Sequence, residues 1–158
     1  MKNVIPIALL DLNEKSRTTI EGVLSEIDGV EIQSEGGDLG KSLSLIRKCK
    51  PAIVILNLHP DTEEAFNTAR KIVQNFPKII LFVTAREAAS EIILESMRIG
   101  AREFLTQPLR KNDLKAAVKK VTKIKKHASS EKMSTSKVIS VFGTKGGVGT
   151  TMVATNVA

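Results

Sequence analysis

The sequence predicts an α/β fold, a doubly wound five-stranded parallel sheet with helices on both faces. Two observations predict it. Short runs of β-branched and other apolar residues alternate with segments whose apolar residues recur at helical spacing, and the breaks between them fall at Gly, Pro and Asp. Strand and helix alternating in this way give parallel strands joined by right-handed crossovers, which leaves few topologies.

Val4 to Leu10 reads as the first strand. Its opening resembles a short secretion signal, but Asp11 ends the apolar run before any cleavage region, so a buried strand is the better reading. Glu14 to Ile27 is a helix that buries Ile20, Val23, Leu24 and Ile27, and Val30 to Ser34 is the second strand. After the Gly36-Gly37-Asp38 turn, which contains no complete dinucleotide fingerprint, Asp38 can cap a helix carrying Leu39, Leu43 and Ile46; Pro51 ends it from downstream. Ala52 to Leu56 is a continuous apolar strand. Helix Glu63 to Asn75 presents Ala65, Ala69, Ile72 and Val73, with Phe76 just beyond it, and strand Ile79 to Val83 follows Pro77. Helix Glu87 to Ile99 ends at Gly100, a natural C-cap. Strand Arg102 to Leu105 leads into a basic helix. Its Leu114, Ala117, Val118, Val121 and Ile124 form an apolar stripe opposite Lys115, Lys119, Lys120, Lys123, Lys125 and Lys126. The flavodoxin-like strand order 2-1-3-4-5 fits these units, and it places a ligand site at the carboxyl ends of the strands.

The 158 residues, 42% of them hydrophobic, suit one domain plus a remnant. The single cysteine, Cys49, excludes an internal disulfide framework and fits a reducing cytoplasm. No apolar stretch approaches the roughly 20 residues needed to span a bilayer. A formal charge of +7 raises the question of an anionic partner, yet much of the excess lies on the last helix, where a solvated face is the simplest explanation. With 3% aromatics and neither Trp nor Tyr, base stacking has no platform, so nucleic acid is not the expected partner. His59 and His127 lie far apart, without cysteine or acidic partners at metal-ligand spacing, and no zinc site is expected.

The strand ends carry the chemistry. Leu9-Leu10-Asp11-Leu12 through Arg17, Ile53 to Pro60, Phe82-Val83-Thr84-Ala85, and Gly100 to Pro108 together resemble the receiver domains of two-component response regulators, over Lys2 to Lys126. In that family two acids after the first strand and an aspartate after the third hold magnesium, and the third aspartate takes a phosphoryl group. Here Asp11 keeps one leading acid, Leu12 replaces the other, Asn57 stands at the acceptor position and Gln107 replaces the neutralising lysine. An amide is neutral, whereas acyl-phosphate formation needs a carboxylate. Asp11 with the Asn57 carbonyl would make a weak magnesium site. Glu14 could supply a further carboxylate, although a first-turn glutamate favouring the helix dipole explains it as well. Thr84, Phe104 and Pro108 match the family's switch hydroxyl, switch aromatic and post-strand proline. They also have an architectural reading, with Phe104 in the core and Pro108 shaping a turn through a cis peptide. The resemblance thus implies a pseudo-phosphoacceptor pocket of Asp11, Leu12, Asn57, Thr84, Phe104 and Gln107, with no catalytic residue and no metal.

A second motif lies near the end of the sequence. His127 to Ser136, with its Ser-Ser and Ser-Thr-Ser steps, reads as a linker. Lys137 to Phe142 then reads as a strand, Lys145-Gly146-Gly147-Val148-Gly149-Thr150-Thr151 as a phosphate-cradling loop, and Thr151 to Ala154 as the start of a helix. Thr150 occupies the position of the usual phosphate-binding lysine, and its hydroxyl carries no charge. These residues resemble the MinD/ParA superfamily, whose additional early lysine is matched by Lys145, and the loss at Thr150 is similar to the TadZ/CpaE branch, which helps place Flp-type pilus machinery. The resemblance implies an atypical receiver at 1–126, a linker at 127–136 and the truncated start of a P-loop ATPase domain at 137–158. In a longer protein Lys145, Gly146, Gly147, Gly149, Thr150 and Thr151 would face ATP and magnesium; in this chain no cofactor and no enzymatic activity are expected. It further implies a cytoplasmic protein recruited to a cell pole by pilus-assembly partners. A homodimer would form through the remainder of the ATPase-like domain, with the face of the fourth helix, fifth strand and fifth helix as a candidate further surface and Arg98, Arg102, Lys115 and Lys119 as candidate contacts. The alternatives are a nucleotide-driven switch in the longer protein and DNA binding by the basic helix.

Overall fold

Burial pattern decides where strands form in the computed structural model, which describes residues 4–11, 13–36 and 38–130. Leu12 and the expected phosphate loop at Lys145 to Thr151 lie outside the described residues. The elements run β1 (Ile5–Leu10), α1 (Glu14–Ser25), β2 (Val30–Gly36), a 3-10 turn (Leu39–Lys41), α2 (Ser42–Cys49), β3 (Ile53–Asn57), α3 (Thr62–Asn75), β4 (Ile80–Ala85), α4 (Ser90–Ile99), β5 (Glu103–Thr106) and α5 (Lys111–Ser130). All neighbouring strands pair in parallel, in the order β2-β1-β3-β4-β5. This is the expected flavodoxin-like order. The chain divides into two compact units, Met1–Ile124 and Lys125–Ala158, and the sheet belongs to the first.

Period-two alternation splits each strand between two cores. Ile7 and Leu9 of β1, Ile53 and Ile55 of β3, Phe82 of β4 and Leu105 of β5 face Ile20 and Leu24 of α1 and Leu114, Ala117, Val118 and Val121 of α5. The intervening Ala8, Leu10, Val54, Leu56, Leu81 and Val83 face Ile46 of α2 and Ala65, Ala69 and Ile72 of α3. Burial on both faces explains why β3 reads as one uninterrupted apolar run. On α5 the expected stripe is buried as far as Val121, while Lys119 and Lys120 are exposed.

Local chemistry sets the helix ends. Asn13 caps α1 by accepting from the Ser16 amide at 3.0 Å, and Asp61 caps α3 by accepting from the Glu64 amide at 2.9 Å. Asp38 caps the 3-10 turn and not α2 directly, because Leu39 to Lys41 form that turn first. Helix α4 begins at Ser90, later than the expected Glu87, since Ala89 is still extended (φ −64°, ψ 137°). Gly100 ends α4 at φ 107°, as the C-cap reading requires. Helix α5 runs through Ser130, so His127 to Ser130 are helical and not part of an extended linker; lysine and alanine are good helix formers. Among the described residues no helix is long and apolar enough to cross a membrane.

Candidate functional site

Parallel strands of matched register deliver their ends to one edge of the sheet. Asp11 follows β1, Asn57 closes β3, Thr84 lies opposite Asn57 on β4, and Gln107 follows β5. Asp11, Asn57 and Thr84 are almost wholly buried, at 0%, 1% and 0% exposure, so their polar atoms must find partners inside the protein.

Most do. Asn57 donates Nδ2 to Asp11 Oδ1 at 2.9 Å, and its own Oδ1 accepts from the His59 backbone amide at 3.2 Å. Asp11 Oδ1 also accepts from the Asn13 amide at 2.8 Å, while Arg17 Nη1 donates to the Asp11 carbonyl at 3.2 Å. Across the pocket Gln107 Nε2 donates to Thr84 Oγ1 at 3.1 Å, and the Gln107 backbone amide bonds the Ala85 carbonyl at 2.8 Å. The pocket is therefore wired as two amide-centred pairs. Within this pocket Asp11 Oδ2 is buried without a hydrogen-bond partner among the described residues.

Of the expected pocket residues, Asp11 and Asn57 are joined directly, as are Thr84 and Gln107. Phe104 is one step along on β5, beside Val83; it is half-buried and packs against the α2–α3 core, which is where an architectural aromatic belongs. Leu12, the sixth member, is outside the described residues. Glu14 is exposed in the first turn of α1, placed for the helix dipole. The Gln107–Pro108 peptide is cis, as is His59–Pro60.

A magnesium ion does not fit these donors. Magnesium takes a near-ideal octahedron of hard oxygens and is usually anchored by one or two carboxylates. Asp11 Oδ2 offers one open oxygen, but Asn57 turns its N–H side toward Asp11 and spends its carbonyl on His59. Among the described residues no group of three or more acids, histidines or cysteines could hold a metal. What the arrangement can do is fix the loops after β1, β3 and β5 in one conformation through side-chain hydrogen bonds.

Sequence reasoning did not anticipate Asn13, which joins the cap of α1 to Asp11, although an Asn three residues before Ser16 at a helix start is a legible capping signal. It also missed Lys15 and Arg86, which line a cleft of about 470 Å³ beside Gln107. Nothing in their local sequence marks them, because only the fold brings α1 and the loop after β4 together.

No family model matches the chain. It is 27% identical over 119 residues to the positive alginate biosynthesis regulatory protein of Pseudomonas aeruginosa, covering 74% of this chain and 47% of that one. It is 24% identical over 130 residues to protein-glutamate methylesterase/protein-glutamine glutaminase 2 of Nitratidesulfovibrio vulgaris, covering 76% and 35%. The chain thus spans about half and about a third of these relatives' lengths. Among solved structures, a response regulator from Thermotoga maritima superposes with a TM-score of 0.68 at 21% identity, over 76% of this chain and 98% of that one. The CheY-like receiver domain protein of Methanospirillum hungatei superposes equally well, with a TM-score of 0.68 at 19% identity over 78% and 98%. The chain has the CheY-like receiver fold.

Proposed function

We propose that residues up to about Lys126 form a phosphorylation-independent receiver that serves as a docking and targeting module of a TadZ/CpaE-like pilus-assembly protein. The observation that carries the first half of this reading is the Asn57–Asp11 hydrogen bond: the acceptor position holds a buried amide already engaged on both of its ends. Gln107 supports it, since its neutral amide is committed to Thr84 where a cation would be needed for a phosphoryl group. The removal of two acids and one base together leaves no buried lysine without its partner and avoids repulsion among clustered acids. The pilus assignment rests on the Lys145 to Thr151 motif and its missing lysine at Thr150. The module works as a cytoplasmic homodimer that brings pilus-assembly partners to a cell pole.

The test is intact-mass measurement after incubation with acetyl phosphate and manganese. The wild-type protein is expected to remain unmodified, and a triple variant Leu12→Asp, Asn57→Asp, Gln107→Lys is expected to gain one phosphoryl group. A stoichiometric gain in the wild-type protein, mapped to this crevice, overturns the reading. For the pilus half, a fluorescent fusion in a piliated host is expected at one pole; a uniform distribution with unchanged piliation on deletion removes that assignment.

A further inference from the structure

Two clefts flank the loop from β5 to α5, and Gln107, Pro108 and Leu109 form a wall of both. The smaller, about 330 Å³, carries one cation, Arg110, against one acid, Asp113. The larger, about 470 Å³, lies within the range of small-molecule sites and has a different balance. Lys15 and Arg86 line it, and no acid does among the described residues. Neither side chain has an ion-pair or hydrogen-bond partner among the described residues. Two unneutralised cations at one cleft raise the local potential, and the positive end of α1 lies beside them, its first turn carrying the exposed Glu14 next to Lys15 and Ser16.

The remaining lining completes the description of a ligand. Ser16 and Thr19 bring hydroxyls, and Asn13 and Gln107 bring amides. Ile20, Pro108 and Leu109 supply an apolar wall; Ile20 and Leu109 are themselves anchored in the core. We propose that this cleft binds a small organic anion, with a phosphate or carboxylate head held between Lys15 and Arg86 and a flat apolar body against Ile20, Pro108 and Leu109. Gln107 links the occupant to the buried pocket through its bond to Thr84. A reversible ligand thereby takes the place of covalent modification as the input to the receiver. The cleft's chemistry does not depend on which partner the module serves.

The experiment is residue-resolved amide NMR of the whole chain, titrated separately with phenyl phosphate, inorganic phosphate and phenol. Phenyl phosphate is expected to move the signals of Lys15, Ser16, Arg86 and Gln107 with a dissociation constant on the order of 1 mM or tighter. Inorganic phosphate is expected to bind at least about tenfold more weakly, because it leaves the apolar wall uncovered, and phenol about tenfold more weakly for want of the anion. The double variant Lys15→Gln, Arg86→Gln changes two exposed side chains and is expected to keep the fold while losing the response. Shifts confined to Lys145 to Thr151, equal affinity for phosphate and phenyl phosphate, equal affinity for phenol, or an undiminished response in the double variant would each overturn the assignment.

Discussion

Asn57 and Asp11 share a hydrogen bond of 2.9 Å across the ends of neighbouring strands β3 and β1, with both side chains shut off from solvent. An aspartate at position 57 would replace the donated N–H with a second anion at the same distance. Asn57→Asp alone is therefore expected to lower unfolding free energy by about 1–3 kcal/mol at pH 7. Urea denaturation at pH 7 measures that loss. A variant as stable as the parent at pH 7 would mean that the two side chains do not meet.

The bond from Gln107 to Thr84 makes a smaller claim. Gln107→Ala removes a neutral, partly buried donor, so it is expected to cost about 0.5–1.5 kcal/mol. Gln107→Glu should cost more, since it turns a donor into an acceptor facing a hydroxyl that must then reorient. Equal midpoints in urea for the two variants would argue that Gln107 points elsewhere.

Gly100→Ala tests the end of α4. At φ 107° a Cβ is strained, and it would also come to 3.4 Å from Val73 Cγ1 on α3. Destabilisation of about 1 kcal/mol or more is expected. Thermal melting measures it, and an unchanged or raised melting temperature would refute the left-handed C-cap.

Lys111, at the start of α5, bonds Glu26, at the end of α1, at 2.7 Å, and this contact holds the Glu26 carboxyl below the usual carboxylate range. A depressed folded-state pKa stabilises the fold above the unfolded value and is lost as pH falls through the folded one. The wild-type protein should therefore lose slightly more stability than Glu26→Gln between neutral pH and the acid side of the carboxylate range. The effect is small because the pair is solvated, and added salt should shrink it further. Parallel pH profiles for the two proteins would show that the ion pair contributes nothing.

Helix α4 leaves Leu94 and Met97 exposed, at 55% and 41%, with Arg98 beside them. If the homodimer uses this face, Leu94→Glu with Met97→Glu should raise the dimer dissociation constant by about tenfold or more in analytical ultracentrifugation. The same dissociation constant in parent and variant would move the interface off α4.

The sheet was readable because its inner strands β1 and β3 are buried on both faces and the helices on one, so period and turn chemistry coincide in β1, β3, α1 and α3. Boundaries were less readable where two local preferences compete. Asp38 caps a turn of 3-10 helix before α2 can start, and Ala89 keeps the chain extended past Glu87. Asn57 and Gln107 stood out in the sequence because each lies at a strand end and departs from the residue that the resemblance implies there. The pairing of those residues was not legible. That Asn57 turns its N–H to Asp11 while Gln107 reaches Thr84 depends on lateral spacing between strands, which no single stretch of sequence encodes. Lys15 and Arg86 lie 71 positions apart by their numbers, and only the closing of α1 over the sheet makes them neighbours of one cleft.

The shared wall of Gln107, Pro108 and Leu109 couples two hollows in evolution. A substitution there reshapes the 470 Å³ and 330 Å³ hollows together, so drift that alters one also disturbs the other. Diversification among descendants of this protein should consequently concentrate on the far rims, at Lys15 and Arg86 on one side and Arg110 and Asp113 on the other, while the three wall positions change in concert.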